Sequence, residues 1–189
     1  DDKGYIKRMQ SAVAGVTDRQ AALEVIICNI VKVFKNGEPV KLSKRAGNIV
    51  TLESMVSEIG SSALRFIMLT RRNNEVLEFD IAEVTAATKD NPVFYVQYAH
   101  ARISSALRKA LEAFTDSRID DTSLCEAEFA HLQTREEQRL ISVVAQFPRI
   151  VESAALAREP HRVAFYLSEL AGDIEGLWTA GIVHPAKRS

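Results

Sequence analysis

Apolar positions recur along this chain in two rhythms, and the change of rhythm divides it. Over residues 5–14 they return at helical spacing, which predicts an amphipathic helix. Residues 22–31 then form the run Ala22-Leu23-Glu24-Val25-Ile26-Ile27-Cys28-Asn29-Ile30-Val31. Its β-branched content reads as a buried strand in a central or near-central sheet position. Val31-Lys32-Val33-Phe34 and Glu38-Pro39-Val40 flank Asn36-Gly37, the strongest short hairpin signal, so a β-turn should project the segment that follows from a sheet edge. Thr51 can cap a helix that runs to Ile59 and is terminated by Gly60, and Ser61 or Ser62 can cap the next one, through Arg71. A turn is expected at Arg72-Asn73-Asn74 and a short extended piece over residues 76–79.

From Asp80 the helical rhythm holds almost to the end. Pro92 sits where a first-turn proline belongs, with Asn91 as its cap, and a long helix should run to about Phe114. The polar stretch 115–123 reads as a loop, and further helices are expected over 124–131, 134–146, 148–157 and 160–180, the last two opening with prolines. The chain is therefore mainly α, a small β-containing region over residues 1–88 followed by a helical bundle over 89–189. It contains no internal repeat and no heptad run long enough for a coiled coil.

Composition narrows this little. A chain of 189 residues with 47% hydrophobic content is an ordinary globular protein of one domain or two small ones, which argues against both disorder and a membrane span. Lysine and arginine (24) nearly cancel aspartate and glutamate (25), so any surface for nucleic acid must be local. Cys28 and Cys125 stand far apart and match no metal or redox spacing, which predicts reduced, buried thiols in a cytoplasmic protein. No metal site is expected from the residues present. Asp1-Asp2-Lys3-Gly4-Tyr5 lacks the cationic start and apolar run of a signal peptide, and without an initiating methionine the chain reads as an excised piece.

Candidate chemistry concentrates in Lys41-Leu42-Ser43-Lys44-Arg45-Ala46-Gly47-Asn48. Two lysines on either side of a serine can approach a polyphosphate from two directions, and Gly47 lets the backbone fold without a Cβ clash. The pattern suits a mobile cationic loop that handles the phosphates of a nucleotide; a solvated basic turn is the plainer alternative. A second constellation lies on the long helix. At roughly 100° per residue, Tyr95, Tyr98, Arg102, Ser105 and Lys109 share an arc about 80° wide, beside an apolar arc of Val96, Ala99, Ile103, Ala106 and Ala110. Aromatic faces accept unstacked bases and arginine reaches phosphates or base edges, as in recognition of single-stranded RNA loops. Taken alone, the stripe is more often a core-edge aromatic pair with a solvated arginine.

His100 falls on the apolar side of the wheel and reads as a hydrogen-bonded core histidine. Asp120-Asp121 and Glu136-Glu137 read as solvated charges, and Trp178 with Leu170, Ile174 and Leu177 as a helical core stripe. Arg65, Arg71 and Arg72 are candidate contacts to a nucleic acid, though cations at helix ends also simply favour the dipole.

Three separated tracts, agreeing in order and spacing, resemble one family. The lysine-rich segment resembles the KMSKS loop of class I aminoacyl-tRNA synthetases, with Leu42 in place of methionine, and its continuation Arg45-Ala46-Gly47-Asn48 resembles the arginyl-tRNA synthetase version. Ala63-Leu64-Arg65-Phe66 resembles the tract for which the helical DALR domain is named, with Ser62 where the family commonly has aspartate; serine is still expected to cap the helix. Tyr95-Val96-Gln97-Tyr98-Ala99-His100-Ala101-Arg102 resembles the opening of the anticodon-binding domain, and Arg71-Arg72-Asn73 and the tract from Arg158 to Trp178 are also similar to this family. The resemblance implies a remnant of a Rossmann-type catalytic domain followed by an anticodon-binding bundle. The HIGH tract of such enzymes is absent, since His100, His131, His161 and His184 all lie in other contexts.

Several roles follow from that resemblance. In the whole enzyme the carboxylate of arginine attacks the α-phosphate of ATP, with magnesium present, and pyrophosphate leaves. Lys44 would meet the charge that builds on the β- and γ-phosphates, Lys41 would support it, and Ser43 would shape the loop through a hydrogen bond. Tyr95, Tyr98 and Arg102 would contact tRNA(Arg). The piece alone should be inactive and bind no cofactor, and a monomer is expected. A related enzyme, cysteinyl-tRNA synthetase, shares the loop and the helical domain, but its zinc ligands are not seen in this sequence; a stand-alone tRNA-binding module is the third reading.

Overall fold

The computed structural model of the chain describes residues 2–40, 51–88, 90–113 and 121–183. A single 3₁₀ turn, Asp2–Tyr5, leads into α1, Ile6–Val16, none of whose residues is buried. Strand β1, Val31–Lys35, pairs antiparallel with β2, Glu38–Pro39, in the register Phe34↔Pro39 and Lys35↔Glu38. Asn36 and Gly37 between them have φ of 54° and 79°. Two successive positive φ values make the I′ type of turn, whose twist matches that of the strands it joins.

After α2, Leu52–Ile59, and α3, Ser61–Met68, strand β3, Leu77–Asp80, comes back parallel to β1 with Val33 opposite Phe79, which makes β1 the central strand of the order β2-β1-β3. Thr51 and Ser54 form a reciprocal capping box on α2, and Gly60, at φ 87°, turns the chain into α3. The short α4, Ile81–Thr85, follows directly from β3. Phe79, 1% exposed, is the centre of a core that gathers Met55, Leu64, Ile67, Leu77, Ile81 and Val84, and Val93 from the first turn of α5, Pro92–Ala113. Asn91 locks that helix start. Its side-chain oxygen accepts from Val93 N–H at 3.0 Å and its amide donates to the carbonyls of Val84 and Ala86 at 2.7 and 2.8 Å, so a buried polar side chain leaves neither end unsatisfied.

The rest is helical: α6, Asp121–Cys125; a 3₁₀ turn, Phe129–His131; α7, Arg135–Ala145; α8, Phe147–Ala157; and α9, His161–Thr179. Helix α9 is the axis of the bundle, packed by α5, α7 and α8. It buries Ala164, Tyr166, Ala171, Ile174 and Leu177; Phe147 meets Tyr166 with ring centroids 5.3 Å apart. Arg139 of α7 reaches across to Asp173 and, at 3.6 Å, to Glu169 of α9.

Several expectations are corrected. Residues 22–30 are not strand. Pairing begins at Val31, and Ile26 and Ile30 are 52% and 67% exposed, because among the described residues no strand lies beside this run to take up its backbone groups. Asn29 turns it aside, its N–H donating to the Asn73 carbonyl at 2.6 Å and its side-chain amide to that of Asn74. Helix α3 stops at Met68 rather than Arg71, and neither Ser61 nor Ser62 caps it by side chain: with Gly60 in the cap position the serines already lie inside the first turn. The expected helix over 124–131 is instead the five-residue α6 and a 3₁₀ turn, exposing Leu124 and Phe129 at 50% and 61%. With no neighbour among the described residues to cover that apolar face, little holds a longer helix.

Both cysteines are exposed, Cys28 in the unpaired segment and Cys125 at the end of α6. Glu137 is buried rather than solvated, because it closes a capping box with Thr134, accepting from the Thr134 N–H at 3.0 Å. His100 is exposed, not core: the packing seam of α5 falls elsewhere on the wheel.

Candidate nucleic-acid interface

The seam of α5 runs along Tyr95, Ala99, Arg102 and Ala106, spaced four, three and four residues apart. It lies at the border of the two arcs read from the sequence, turned by about 50° from the centre of the apolar one at 100° per residue. Ala99 is 2% exposed, whereas Ile103, assigned to the packing arc, is 41% exposed. Small side chains at 99 and 106 let α9 approach closely, and the larger Tyr95 and Arg102 fill the seam beside them. Tyr95 spans to α9 at Gly172, where an added Cβ would stand 3.8 Å from its hydroxyl, an ordinary contact.

Arg102 is caged. Its guanidinium carbon lies 4.3 Å from the centre of the Trp178 ring and 5.4 Å from that of Tyr98, and Nη1 donates to both carboxylate oxygens of Glu175, at 3.0 and 2.9 Å. The two charged side chains are 28% and 19% exposed, so the pair is half-buried and less screened than a surface bridge. Glu175 and Trp178 were not legible as its partners: they are 73 residues and more away in sequence, and nothing in either tract's spacing announces the pairing.

Tyr98 is placed differently. It is 43% exposed, and its ring stacks near-parallel on Phe94 at a centroid distance of 6.0 Å with 17° between planes. Phe94 stacked on it and Arg102 over it limit its rotamers, while part of the ring stays open to solvent. Lys109, about three turns further on, is exposed as expected, and Ser105 is half-buried. The structure thus splits the predicted stripe, with Tyr95 and Arg102 engaged by α9 and Tyr98 presented.

Where the first region meets the bundle, a cleft of about 240 Å³ is lined by Arg71, Arg72, Asn73, Arg158 and His161. Arg158 is ion-paired with Glu24, and His161, 5% exposed, stands edge-on to Phe165. Arg65 is exposed on α3. Lys41, Ser43, Lys44 and Arg45 lie outside the described residues; the hairpin that leads to them is described through Val40, whose N–H donates to the Val33 carbonyl at 2.9 Å. Among the described residues no group of three or more histidine, cysteine or acidic side chains could hold a metal ion.

A three-stranded mixed sheet joined through α5 to a helical bundle fits a tRNA synthetase segment that carries an anticodon-binding domain. Residues 96–189 match the DALR anticodon binding domain. The arginine–tRNA ligase of Parvibaculum lavamentivorans is 53% identical over 181 residues, 96% of this chain and 31% of that protein, and that of Beijerinckia indica is 50% identical over 188 residues, 100% and 32%. An arginyl-tRNA synthetase structure from Campylobacter jejuni superposes with a TM-score of 0.81 at 33% identity, covering 95% of this chain and 38% of that one. The chain belongs to the arginyl-tRNA synthetases and not to the cysteinyl enzymes. It spans about a third of the length of the curated relatives it matches.

Proposed function

We propose that the protein to which this chain belongs is an arginine–tRNA ligase, acting in the cytoplasm as a monomer, and that this chain supplies its phosphate-contacting loop and part of its anticodon-binding surface. The division proposed is residues 1–88 for the catalytic side and 89–189 for the tRNA side. The identity of about 50% to arginine–tRNA ligases over nearly the whole chain is the observation that carries the reading. ATP, arginine and tRNA(Arg) are the substrates; magnesium enters with ATP, and the described residues offer it no cluster of ligands.

In this reading Lys44 stabilises charge on the departing pyrophosphate, Lys41 assists, and Ser43 shapes the loop. On the tRNA side Tyr98 receives an unstacked base against the part of its ring that is exposed. Tyr95 supports it from within the seam, and Arg102 steadies the ring while its remaining N–H groups are left for phosphate. Because Nη1 alone carries both bonds to Glu175, the two uses of Arg102 are compatible.

The test is binding of the tRNA(Arg) anticodon stem-loop to the full-length protein. Tyr98→Ala should weaken it by about 1–3 kcal/mol, the usual worth of one base–aromatic stack, without changing the salt dependence. A variant that melts earlier yet binds with undiminished affinity per folded molecule would reduce Tyr98 to a packing residue.

A further inference from the structure

We propose that Asp80 is a positioning residue for the activation step: its carboxylate fixes the Asn36-Gly37 turn and, through it, the direction in which the chain leaves β2 toward Lys41. This rests on the function proposed above.

Among the described residues the hairpin has little else to hold it. Strand β2 is two residues long, lies at the sheet edge, and includes Pro39, which has no N–H to give. The nearby ion pairs Lys35–Glu58 and Lys32–Glu78, at 2.9 and 3.3 Å, join side chains that are 44–65% exposed, and such pairs contribute little. Asp80 is the exception. From the end of β3, Oδ2 accepts from the Gly37 N–H at 2.6 Å, while Oδ1 accepts from the Asn36 N–H at 3.3 Å and from the Ala82 N–H at 2.8 Å. In a turn with two positive φ values the successive N–H groups converge on one side, and an anion placed there binds both. One carboxylate therefore ties the turn, the parallel strand and the start of α4 together.

The hydrogen bond from Gly37, with those from Ala82 and Asn36, holds the Asp80 carboxyl below the usual carboxylate range against the opposing effect of burial. A depressed folded value means the clamp is complete at neutral pH and is lost only as the pH falls through that lowered value. Capping of α4 would explain the bond to Ala82 alone; it requires neither Oδ2 nor contact with a turn 43 residues away. A small displacement at the root of a loop that must meet a transferring phosphate is expensive, about 10²-fold for a misplacement near 1 Å.

Asp80→Ser separates the two uses. Serine is a good helix cap and keeps an oxygen for Ala82, but is too short to reach Gly37. In the full-length protein, with tRNA present, Asp80→Ser should lower kcat for arginine-dependent pyrophosphate exchange by about 10–100-fold, with KM for ATP changed less than about threefold and the melting temperature nearly kept. Asp80→Asn, which retains one acceptor of the two, should fall between. A lower melting temperature with unchanged kcat per folded molecule, or equal losses in KM and kcat, would overturn the proposal. Lys44→Ala in the same protein separates the two failures. If it depresses exchange while both Asp80 variants do not, Asp80 is a cap and no more; if Lys44→Ala itself leaves exchange unchanged, the reading of the loop falls first.

Discussion

Arg102→Ala is expected to destabilise the folded chain by about 2–3 kcal/mol, less than the ~3–5 typical of breaking a fully buried pair because both partners keep some solvent. The deletion strands the Glu175 carboxylate, 19% exposed, and removes the cation that Trp178 and Tyr98 hold between their rings. For a chain of this size the melting temperature should fall by roughly 5–10 °C. Arg102→Lys should recover part of that loss but not all, since an ammonium keeps the charge and gives up the planar stacking on Trp178. A double-mutant cycle with Glu175→Ala should return a coupling of about 1 kcal/mol or more. An unchanged melting temperature with lost tRNA affinity would make Arg102 a phosphate contact in the bound state and not a part of the bundle.

The second large effect is on catalysis. In the full-length protein Lys44→Ala should lower the rate of arginine activation by ~10²–10³-fold, the usual cost of deleting one preorganised group that meets charge developing in the transition state. The loss should fall on kcat rather than on ATP binding, because the β- and γ-phosphates carry extra charge only as pyrophosphate departs. Equal weakening of KM would mean that Lys44 binds ground state and transition state alike. Lys41→Ala should cost less in the same assay.

Local chemistry was read correctly wherever a few neighbouring residues decide the outcome. Asn36-Gly37 gave the turn, Thr51 the cap of α2 and Asn91 with Pro92 the start of α5, since each of these satisfies its own backbone within a few positions. What failed needed knowledge of a distant partner. The run 22–30 has the composition of a strand, but a strand forms only where another backbone stands beside it. Along α5 the apolar arc lay in the expected quarter, yet the seam turned toward Ala99 and Ala106, because α9 seats where side chains are small rather than where they are most hydrophobic. The same rotation moved His100 outward and Arg102 inward. Asp80, on a tract that seemed only to join strand to helix, had no signal at all: its task is defined by a turn 43 residues earlier.

The central claim is that this chain is part of an enzyme that activates arginine, and the amino-acid dependence of ATP–pyrophosphate exchange tests it most directly. With tRNA present, the full-length protein should exchange pyrophosphate when supplied with arginine and not with cysteine or any other amino acid, and residues 1–189 alone should show no exchange. Exchange that ignores arginine, or that depends on a different amino acid, would contradict the account.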